Sequence, residues 1–361
     1  MSTLTTNYLV PTGREEAWRF TPLNRLAGLL DSTVALTSTN SLVAKSLPAG
    51  VSSKLVAALD LAPMATTLDA ATIRVREAVT EVLVLDIAKD SEVSEPIHLN
   101  RVTIDGQAQA SRLLVNVGTN AKAVLIIENQ GNAVIAEDIE YVLAPGSSLK
   151  VIVLQEWDAK TVHLGSHHAI IDRDASFTSL IVTVGGSVVR LLPTVEYRGP
   201  GSSAELFGLY FATDGQHLEH RMHVDHNVPN AKSRVNYKGA LSGDKARSVW
   251  IGDVHIRAEA EGTDTYELNR NLLLSDGARA DSVPNLEIET GEIVGAGHAS
   301  TTGRFDDEQL FYLSSRGIPA QIARRLVIRG FFSEIIGKIG SQEIEERLMN
   351  RIDDQLAKVG A

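Results

Sequence analysis

The sequence contains no cysteine. A chain without thiols forms no disulfide, supplies no thiolate nucleophile and offers no cysteine ligand to a metal cluster. The sequence also lacks any apolar run of about 18 residues, the length that a membrane-spanning helix needs. Its first residues lack the basic segment and apolar core of a secretory signal peptide, so a cytoplasmic location is expected.

Several motifs of nucleotide-binding and hydrolytic enzymes are missing as well. No G-x-x-x-x-G-K-[ST] segment occurs, so the chain has no ATPase site of its own. The segment Gly295–Ser300 lacks the third glycine and the following β-α-β unit of a dinucleotide-binding motif. No G-x-S-x-G elbow supports a serine hydrolase. The formal net charge of −11 argues against general nucleic-acid binding, which requires a basic surface.

Short β-rich runs separated by turn residues dominate the chain from about Thr66 to Gly303. Runs such as VLVLDIA, AVLIIENQG and LKVIVLQEW have no helical crossover between them, which disfavours a doubly wound sheet. A period of 20 to 50 residues is typical of stacked architectures, and here it predicts a β-solenoid, with a large β-sandwich as the alternative. Similar turns recur at intervals of 28, 27 and 29 residues, beginning at Gly146, Asp174, Gly201 and Asn230.

Helices are predicted at both ends, giving an N-terminal helical region at 1–65, a β core at 66–304 and a C-terminal helical subdomain at 305–361. The N-terminal candidates are LNRLAGLL and SSKLVAALDLA, each with an apolar stripe. The last segment, SQEIEERLMNRIDDQLAKVGA, predicts an amphipathic helix. The sequence leaves open whether the β core or a partner covers its apolar residues, which are Ile344, Leu348, Ile352 and Leu356.

In the stretch Ser282–Ile339, the segment PNLEI is followed by His298 and then by FYLSSRGI. This order of matches resembles the C-terminal signature of the SufB/SufD family, the scaffold proteins of the SUF iron–sulfur assembly system. The segments HLEHRMHVDHNVPNAKSRVNYKG and IGDVHIRAEAEGTDTYELNRNLLLSDGA resemble two further blocks of that family. REEAWRFTPL resembles the N-terminal motif of SufD-type members. The resemblance implies a right-handed β-helix. Its signature matches are Pro284, Leu286, Glu287, Ile288, His298, Phe311 to Ile318, Ala323, Arg324, Gly330, Phe331 and Glu334.

The resemblance places His298 at an interface between SufB-type and SufD-type subunits, as a ligand for iron or for a cluster. Neutral imidazole suits iron and replaces thiolate in some clusters. The small residues from Gly295 to Gly303 predict a loop around His298, and an ordinary surface histidine is the alternative. Ala296 stands where the family often has cysteine, so this chain cannot accept persulfide. A SufD-type role is therefore expected.

The resemblance also implies that the C-terminal helical region binds a SufC-type ABC ATPase. We carry this expectation onto five residues as a group, without assigning individual contacts. Arginine and aromatic residues favour interfaces, whereas the simpler interpretation is a basic helix face that faces solvent. The predicted partner-binding residues are Arg316, Gly317, Arg324, Phe331 and Glu334.

Four histidines, His217, His220, His223 and His226, recur every third residue. In a strand, alternation would place His217 and His223 on one face and His220 and His226 on the other. A single metal site with all four histidines as ligands is therefore implausible. The main interpretation is structural, and participation of one histidine in a metal path is left open.

These observations together predict a non-catalytic scaffold subunit that pairs with a SufB-type subunit and docks the SufC-type ATPase. No tightly bound cofactor is expected, and an iron–sulfur cluster would be present only transiently at the SufB interface. Binding of iron or flavin and self-pairing of the isolated chain are left open. Two alternatives are a purely structural homodimer and a β-helix enzyme acting on polysaccharide, with carboxylates at Glu287, Glu289 and Glu292.

Overall fold

The computed structural model describes residues 10–61, 69–104, 106–304 and 307–358. Most of this range is a β-solenoid of about 8 coils. Each coil contributes one strand to each of two sheets. Neighbouring strands within a sheet are parallel and belong to consecutive coils. The predicted β-solenoid is therefore confirmed, and the β-sandwich alternative is wrong.

The two sheets end differently at the two ends of the solenoid. At the N-terminal end, β3 pairs antiparallel with β4 and β2 pairs antiparallel with β5. At the other end, β18 and β19 are edge strands of the described sheets. The first sheet contains β1 (Thr37–Ser38), β3 (Val51–Ala57), β4 (Glu81–Ile87), β6 (Ala108–Val117), β8 (Val134–Leu143), β10 (Val162–Ile171), β12 (Val188–Tyr197), β14 (His217–His226), β16 (Arg247–Ile256) and β18 (Arg279–Ile288). The second contains β2 (Leu42–Val43), β5 (Ile97–Arg101), β7 (Lys122–Gly131), β9 (Ser148–Trp157), β11 (Ser176–Thr183), β13 (Ser203–Ala212), β15 (Lys232–Leu241), β17 (Asp264–Leu273) and β19 (Gly295–Arg304).

The turns that recur in the sequence are corners of the solenoid. Gly146, Asp174, Gly201 and Asn230 all have left-handed backbone conformations, with φ of 69°, 56°, 74° and 59°. The backbone N–H groups of Gly146, Asp174 and Asn230 each donate to a carbonyl of the next coil, as from Gly146 to Arg173 over 2.9 Å. A Cβ atom at Gly201 would lie 2.4 Å from the Asp174 Oδ1 atom. Both the φ angle and the limited space therefore favour glycine at position 201.

The interior of the solenoid is filled by inward-facing side chains of both sheets, including large aromatic rings. Tyr237 lies over Gly208 and Tyr210 lies over Gly239, and a Cβ atom at either glycine would be 1.9 Å from the ring. Both tyrosines are completely buried. The absence of a side chain at each of these glycines thus leaves the space that the opposite tyrosine ring occupies.

The N-terminal predictions of helices are wrong in part. LNRLAGLL forms only a 3-10 turn at Leu23–Arg25, and SSKLVAALDLA forms β3 followed by a 3-10 turn at Ala58–Asp60. The α-helix at Ala70–Ala78, α1, lies in the region where only strands were predicted. Its first turn is capped by Asp69, whose carboxylate accepts the N–H of Thr72 over 2.9 Å. The predicted boundaries at 65/66 and 304/305 fall at residues 62–68 and 305–306, outside the described residues.

Three described helices follow the solenoid, and the last two of them pack on the outer face of the second sheet. The three are α2 (Asp307–Ser315), α3 (Ala320–Ile336) and α4 (Gln342–Lys358). The apolar stripe of α4 therefore covers the β core of its own chain. None of the helices in the described ranges combines the length and apolar character that crossing a bilayer requires. The stripe residues Ile344, Leu348, Ile352 and Leu356 are all buried in this contact.

Candidate functional site

We call the C-terminal end of the solenoid, where β18 and β19 are edge strands, the open end. His298 lies on its last strand. His298 is exposed and lies on β19, which pairs in parallel with β17. The predicted loop from Gly295 to Gly303 is therefore wrong. These small residues have weak strand propensity, but pairing with β17 satisfies their backbone groups on one side. The other side of β19 is a free strand edge in the described part of the chain.

Polar side chains occupy part of the interior of the last two coils, beside apolar residues such as Trp250 and Leu286. The Ser300 hydroxyl donates to Ser282 Oγ over 2.7 Å, and Ser282 donates to Asn269 Oδ1 over 2.7 Å. Asn271 Nδ2 donates to Asn269 Oδ1 over 2.7 Å and to Thr302 Oγ1 over 3.4 Å. Hydroxyl and amide groups thus form a hydrogen-bonded layer in the interior beside His298. We call these five hydrogen-bonded residues the polar end layer.

Hydrogen bonds continue from the polar end layer into the core. Tyr210 donates its hydroxyl to Asn271 Oδ1 over 2.6 Å and accepts from Asn269 Nδ2 over 3.1 Å. The Tyr210 ring stacks on His220 with centroids 5.2 Å apart, and Thr183 contacts His220 Nε2 at 3.0 Å. Burial lowers the pKa of His220 to about 3. The inner end of this path is therefore uncharged at neutral pH.

Glu267 is a buried carboxyl group next to the polar end layer. It faces the interior from β17, is 1% exposed, and neither side-chain oxygen has a hydrogen-bond partner among the described residues. Burial, followed by the charge of Asp253, raises the pKa of Glu267 to about 8. Glu267 is in register with His298 on the neighbouring strand, so both side chains lie on the same side of the sheet. Glu267 was not among the site residues predicted from the sequence.

The histidines of β14 divide between two faces, as predicted. His220 and His226 face the interior, where His226 Nε2 contacts Ser233 Oγ at 2.9 Å. His217 lies on the outer face and contacts Glu219 through Nε2 at 3.0 Å. Within the described residues, no group of three or more histidine, aspartate or glutamate side chains is placed to hold a metal ion.

The N-terminal motif packs against the outer face of the first sheet. Its Trp18 ring lies 3.8 Å from the guanidinium carbon of Arg190, a side chain with no exposed surface. Arg190 also pairs with Asp69 over 2.6 Å and with Glu219 over 3.3 Å. Thr21 donates to Glu219 over 2.9 Å. The motif therefore has a clear structural role in this chain.

A second buried ionic cluster lies inside the solenoid, far from the open end in chain order. Glu137 pairs with Arg101 and contacts His163 Nε2 at 2.9 Å and His167 Nε2 at 3.2 Å. Burial alone would raise the pKa of Glu137, but Arg101 and the histidines hold it well below its usual value. Glu137 is thus a compensated carboxylate, unlike Glu267. This cluster was not predicted from the sequence either, because only the strand register brings its residues together.

Two of the predicted partner-binding residues make contacts within the chain. Glu334 accepts from Lys238 Nζ over 2.7 Å and from Asn236 Nδ2 over 3.1 Å. Phe331 accepts from Lys238 Nζ through its carbonyl over 3.0 Å, and its ring lies 5.3 Å from the same nitrogen. Both residues fasten α3 to β15. Their role in partner binding stays a prediction.

The other three predicted partner-binding residues lie nearer the solvent. Arg316 is exposed and stacks on Tyr312 at 5.2 Å, and Gly317 has a left-handed φ of 84° where the chain leaves α2. Arg324 is partly exposed on α3. Around them the helices expose several large apolar side chains, which we call the helical patch. Its members are Phe311, Tyr312, Ile322 and Leu326.

The carboxylates considered for a polysaccharide-acting enzyme are exposed at the rim of the last coil. Glu287, Glu289 and Glu292 are all exposed. Glu289 accepts from His255 Nε2 over 2.9 Å and from the backbone N–H of Ala258 over 3.2 Å. One of the three is therefore already engaged in contacts that hold the end of β18. The enzymatic alternative stays a prediction.

These features define a thiol-free β-solenoid whose C-terminal end carries polar groups beside an exposed histidine. Residues 100–331 match the family described as SUF system FeS cluster assembly, SufBD core domain. The chain belongs to this family of iron–sulfur cluster assembly proteins. The resemblance of its motifs to the SufB/SufD family is thereby confirmed.

Known relatives support the same assignment over most of the chain. An iron–sulfur cluster assembly SufBD family protein of Mycobacterium tuberculosis is 48% identical over 357 residues, which cover 96% of this chain and 89% of the relative. The iron–sulfur cluster assembly protein SufD of Escherichia coli is 30% identical over 214 residues, covering 59% and 50%. The chloroplastic protein ABCI7 of Arabidopsis thaliana is 25% identical over 288 residues, covering 75% and 60%.

Proposed function

We propose that this chain is the thiol-free, non-catalytic subunit of an iron–sulfur assembly scaffold. It would pair through β18 and β19 with a SufB-type subunit that supplies the thiolates. The observation that carries this proposal is the exposed His298 on the free edge of β19. Unpaired N–H and C=O groups along a strand edge are a ready template for a strand of another chain.

Pairing at this edge would bring the imidazole of His298 next to the partner's sulfur ligands. Imidazole is an established replacement for thiolate in iron–sulfur clusters and binds iron well. Because the chain has no cysteine, its direct contribution would be one nitrogen ligand and the shape of the interface. The cluster would be cargo of the complex and would leave it after assembly.

Co-expression with a SufB-type and a SufC-type protein tests this function. We expect the three proteins to co-purify, and we expect His298→Ala to leave the complex intact while cluster absorbance falls by about tenfold or more, because one ligand is lost. His98→Ala is the matched control, since the His98 side chain is 46% exposed and lies on β5 near the N-terminal end of the solenoid. Unchanged cluster absorbance in the His298→Ala complex would contradict the proposal and favour a purely structural subunit.

We further propose that the helical patch docks the SufC-type ATPase. Large exposed apolar side chains in one place mark interaction sites, and aromatic residues dominate binding energy at such sites. Phe311 is 76% exposed and Leu326 is 48% exposed, so neither is needed for the core. Arg316 adds a cationic group beside the patch.

The double substitution Phe311→Ser and Leu326→Ser should reduce the co-purified ATPase by about tenfold or more, because desolvated apolar contacts are lost. Leu59→Ser is the control, as Leu59 is 100% exposed on a 3-10 turn outside the patch. Quantitative immunoblotting of the purified complex provides the measurement. Equal ATPase recovery from both variants would place the docking surface elsewhere.

A further inference from the structure

The Glu267 carboxyl is the least compensated polar group near the open end of the solenoid. It is 1% exposed, and both of its oxygens lack a hydrogen-bond partner among the described residues. A buried polar group without a partner carries a desolvation cost whether it is ionised or protonated. Such a group in a native structure calls for an explanation, such as a ligand.

The backbone opposite Glu267 leaves space for this carboxyl. Glu267 extends across the interior toward β16, where Gly252 has no side chain. A Cβ atom at Gly252 would lie 2.6 Å from Glu267 Oε1 and 2.7 Å from the ring of Trp250. The carboxyl and the indole therefore share a space that any larger residue at position 252 would fill.

His298 is the nearest metal-ligating side chain in the strand register. It pairs with Glu267 across adjacent parallel strands, which lie about 4.8 Å apart. Because β19 is the last strand, only one coil separates the carboxyl from solvent. A carboxylate oxygen and an imidazole nitrogen together suit divalent iron, zinc or cobalt, with metal–ligand distances of about 2.0–2.2 Å.

We propose that Glu267 and His298 are two protein ligands of a divalent transition-metal site at the open end of the solenoid. The proposal rests on the proposed function, in which ferrous iron is cargo and His298 faces the assembly site. Two protein ligands leave several coordination positions for water or for groups of a partner. Such an open site favours transient loading and release over permanent storage.

Anaerobic titration of the isolated chain with Co²⁺ and with Fe²⁺ tests this site without any partner. Visible absorbance of bound Co²⁺ and quenching of Trp250 fluorescence report binding. We expect Glu267→Gln, which keeps the side-chain shape, and His298→Ala each to weaken binding by about tenfold or more. Both variants should keep the wild-type circular dichroism spectrum.

Glu289→Gln is the matched control, because Glu289 and His255 form an exposed carboxylate–imidazole pair at the same end of the solenoid. We expect this variant to bind like wild type. Equal affinity of Glu267→Gln and wild type would overturn the proposal, as would a loss confined to Glu289→Gln. The experiments distinguish a failure of the proposed metal site from a failure of the proposed assembly function. Cluster formation that requires His298 but not Glu267 would remove only the Glu267 ligand, whereas metal binding without cluster formation would remove only the assembly function.

Discussion

We expect Arg190→Ala to lower the free energy of unfolding by about 3–5 kcal/mol. Removing one partner of a buried ion pair leaves an uncompensated charge, which is far more costly than losing an exposed pair. Arg190 has no exposed surface and pairs with both Asp69 and Glu219. The substitution also removes the cation from the face of Trp18. The N-terminal segment should therefore detach from the first sheet.

Urea unfolding and limited proteolysis would measure this effect. The N-terminal segment should become cleavable in Arg190→Ala at urea concentrations where the solenoid is still folded. Arg279→Ala is the control, because the Arg279 side chain is 66% exposed in its pair with Asp281 and should contribute at most about 1 kcal/mol. Equal stability losses in the two variants would show that the buried pairs do not hold this segment.

We expect Glu267 to make the metal-free protein less stable as the pH rises from about 4.5 to 8. Burial raises the pKa of Glu267 to about 8 from an ordinary value of 4.5, so the folded state binds the proton that the unfolded chain has released. The stabilisation is complete below the unfolded pKa and is lost as the pH approaches the folded pKa. The slope is at most about 1.4 kcal/mol per pH unit, and the total is on the order of 4 kcal/mol.

Comparison with Glu267→Gln isolates this titration from those of the buried histidines. Urea unfolding at several pH values, with a chelator present, should show the variant gaining stability over wild type as the pH rises. Glu259→Gln, a change at an exposed residue, should keep a constant offset. A constant offset for Glu267→Gln as well would mean that its carboxyl is hydrated in solution.

The solenoid could be predicted from the sequence because its corners repeat the same local chemistry. Asp174 and Asn230 tolerate the left-handed conformation, and Gly201 adopts it freely. Each corner is a local event of a few residues, so its signature is visible without knowledge of the tertiary structure. The spacing of the corners then gives the length of a coil.

The segment from Ser52 to Leu61 could not be predicted in this way. Leu55 and Leu59 are spaced as on a helix, yet they are 50% and 100% exposed. Pairing of β3 with β4 determines the local structure here, and that pairing joins parts of the chain separated by α1. The helical spacing of Leu55 and Leu59 therefore gave a wrong prediction, because tertiary contacts override a weak local preference for helix.

In the candidate site, too, one residue could be predicted from local sequence and another could not. His298 was found through the motifs around it, whereas Glu267 gave no motif. Its importance depends on which face of β17 it occupies and on its register with β19, and both are set by stacking of whole coils. Polar residues at alternating positions in TYELNRNLL, namely Glu267, Asn269 and Asn271, were the available signal for an unusual interior.

The polar end layer also limits what can stack on this protein. A solenoid whose core reached its last coil unchanged would offer an apolar cross-section to any other copy, and end-to-end addition could continue into a fibre. Here Ser282, Ser300 and Asn269 occupy part of that cross-section and already form hydrogen bonds with one another. Covering these polar groups with another copy of the chain would therefore contribute little free energy to end-to-end association. A neighbour must instead match a fixed arrangement of donors and acceptors, which restricts growth to a single, chemically selected addition.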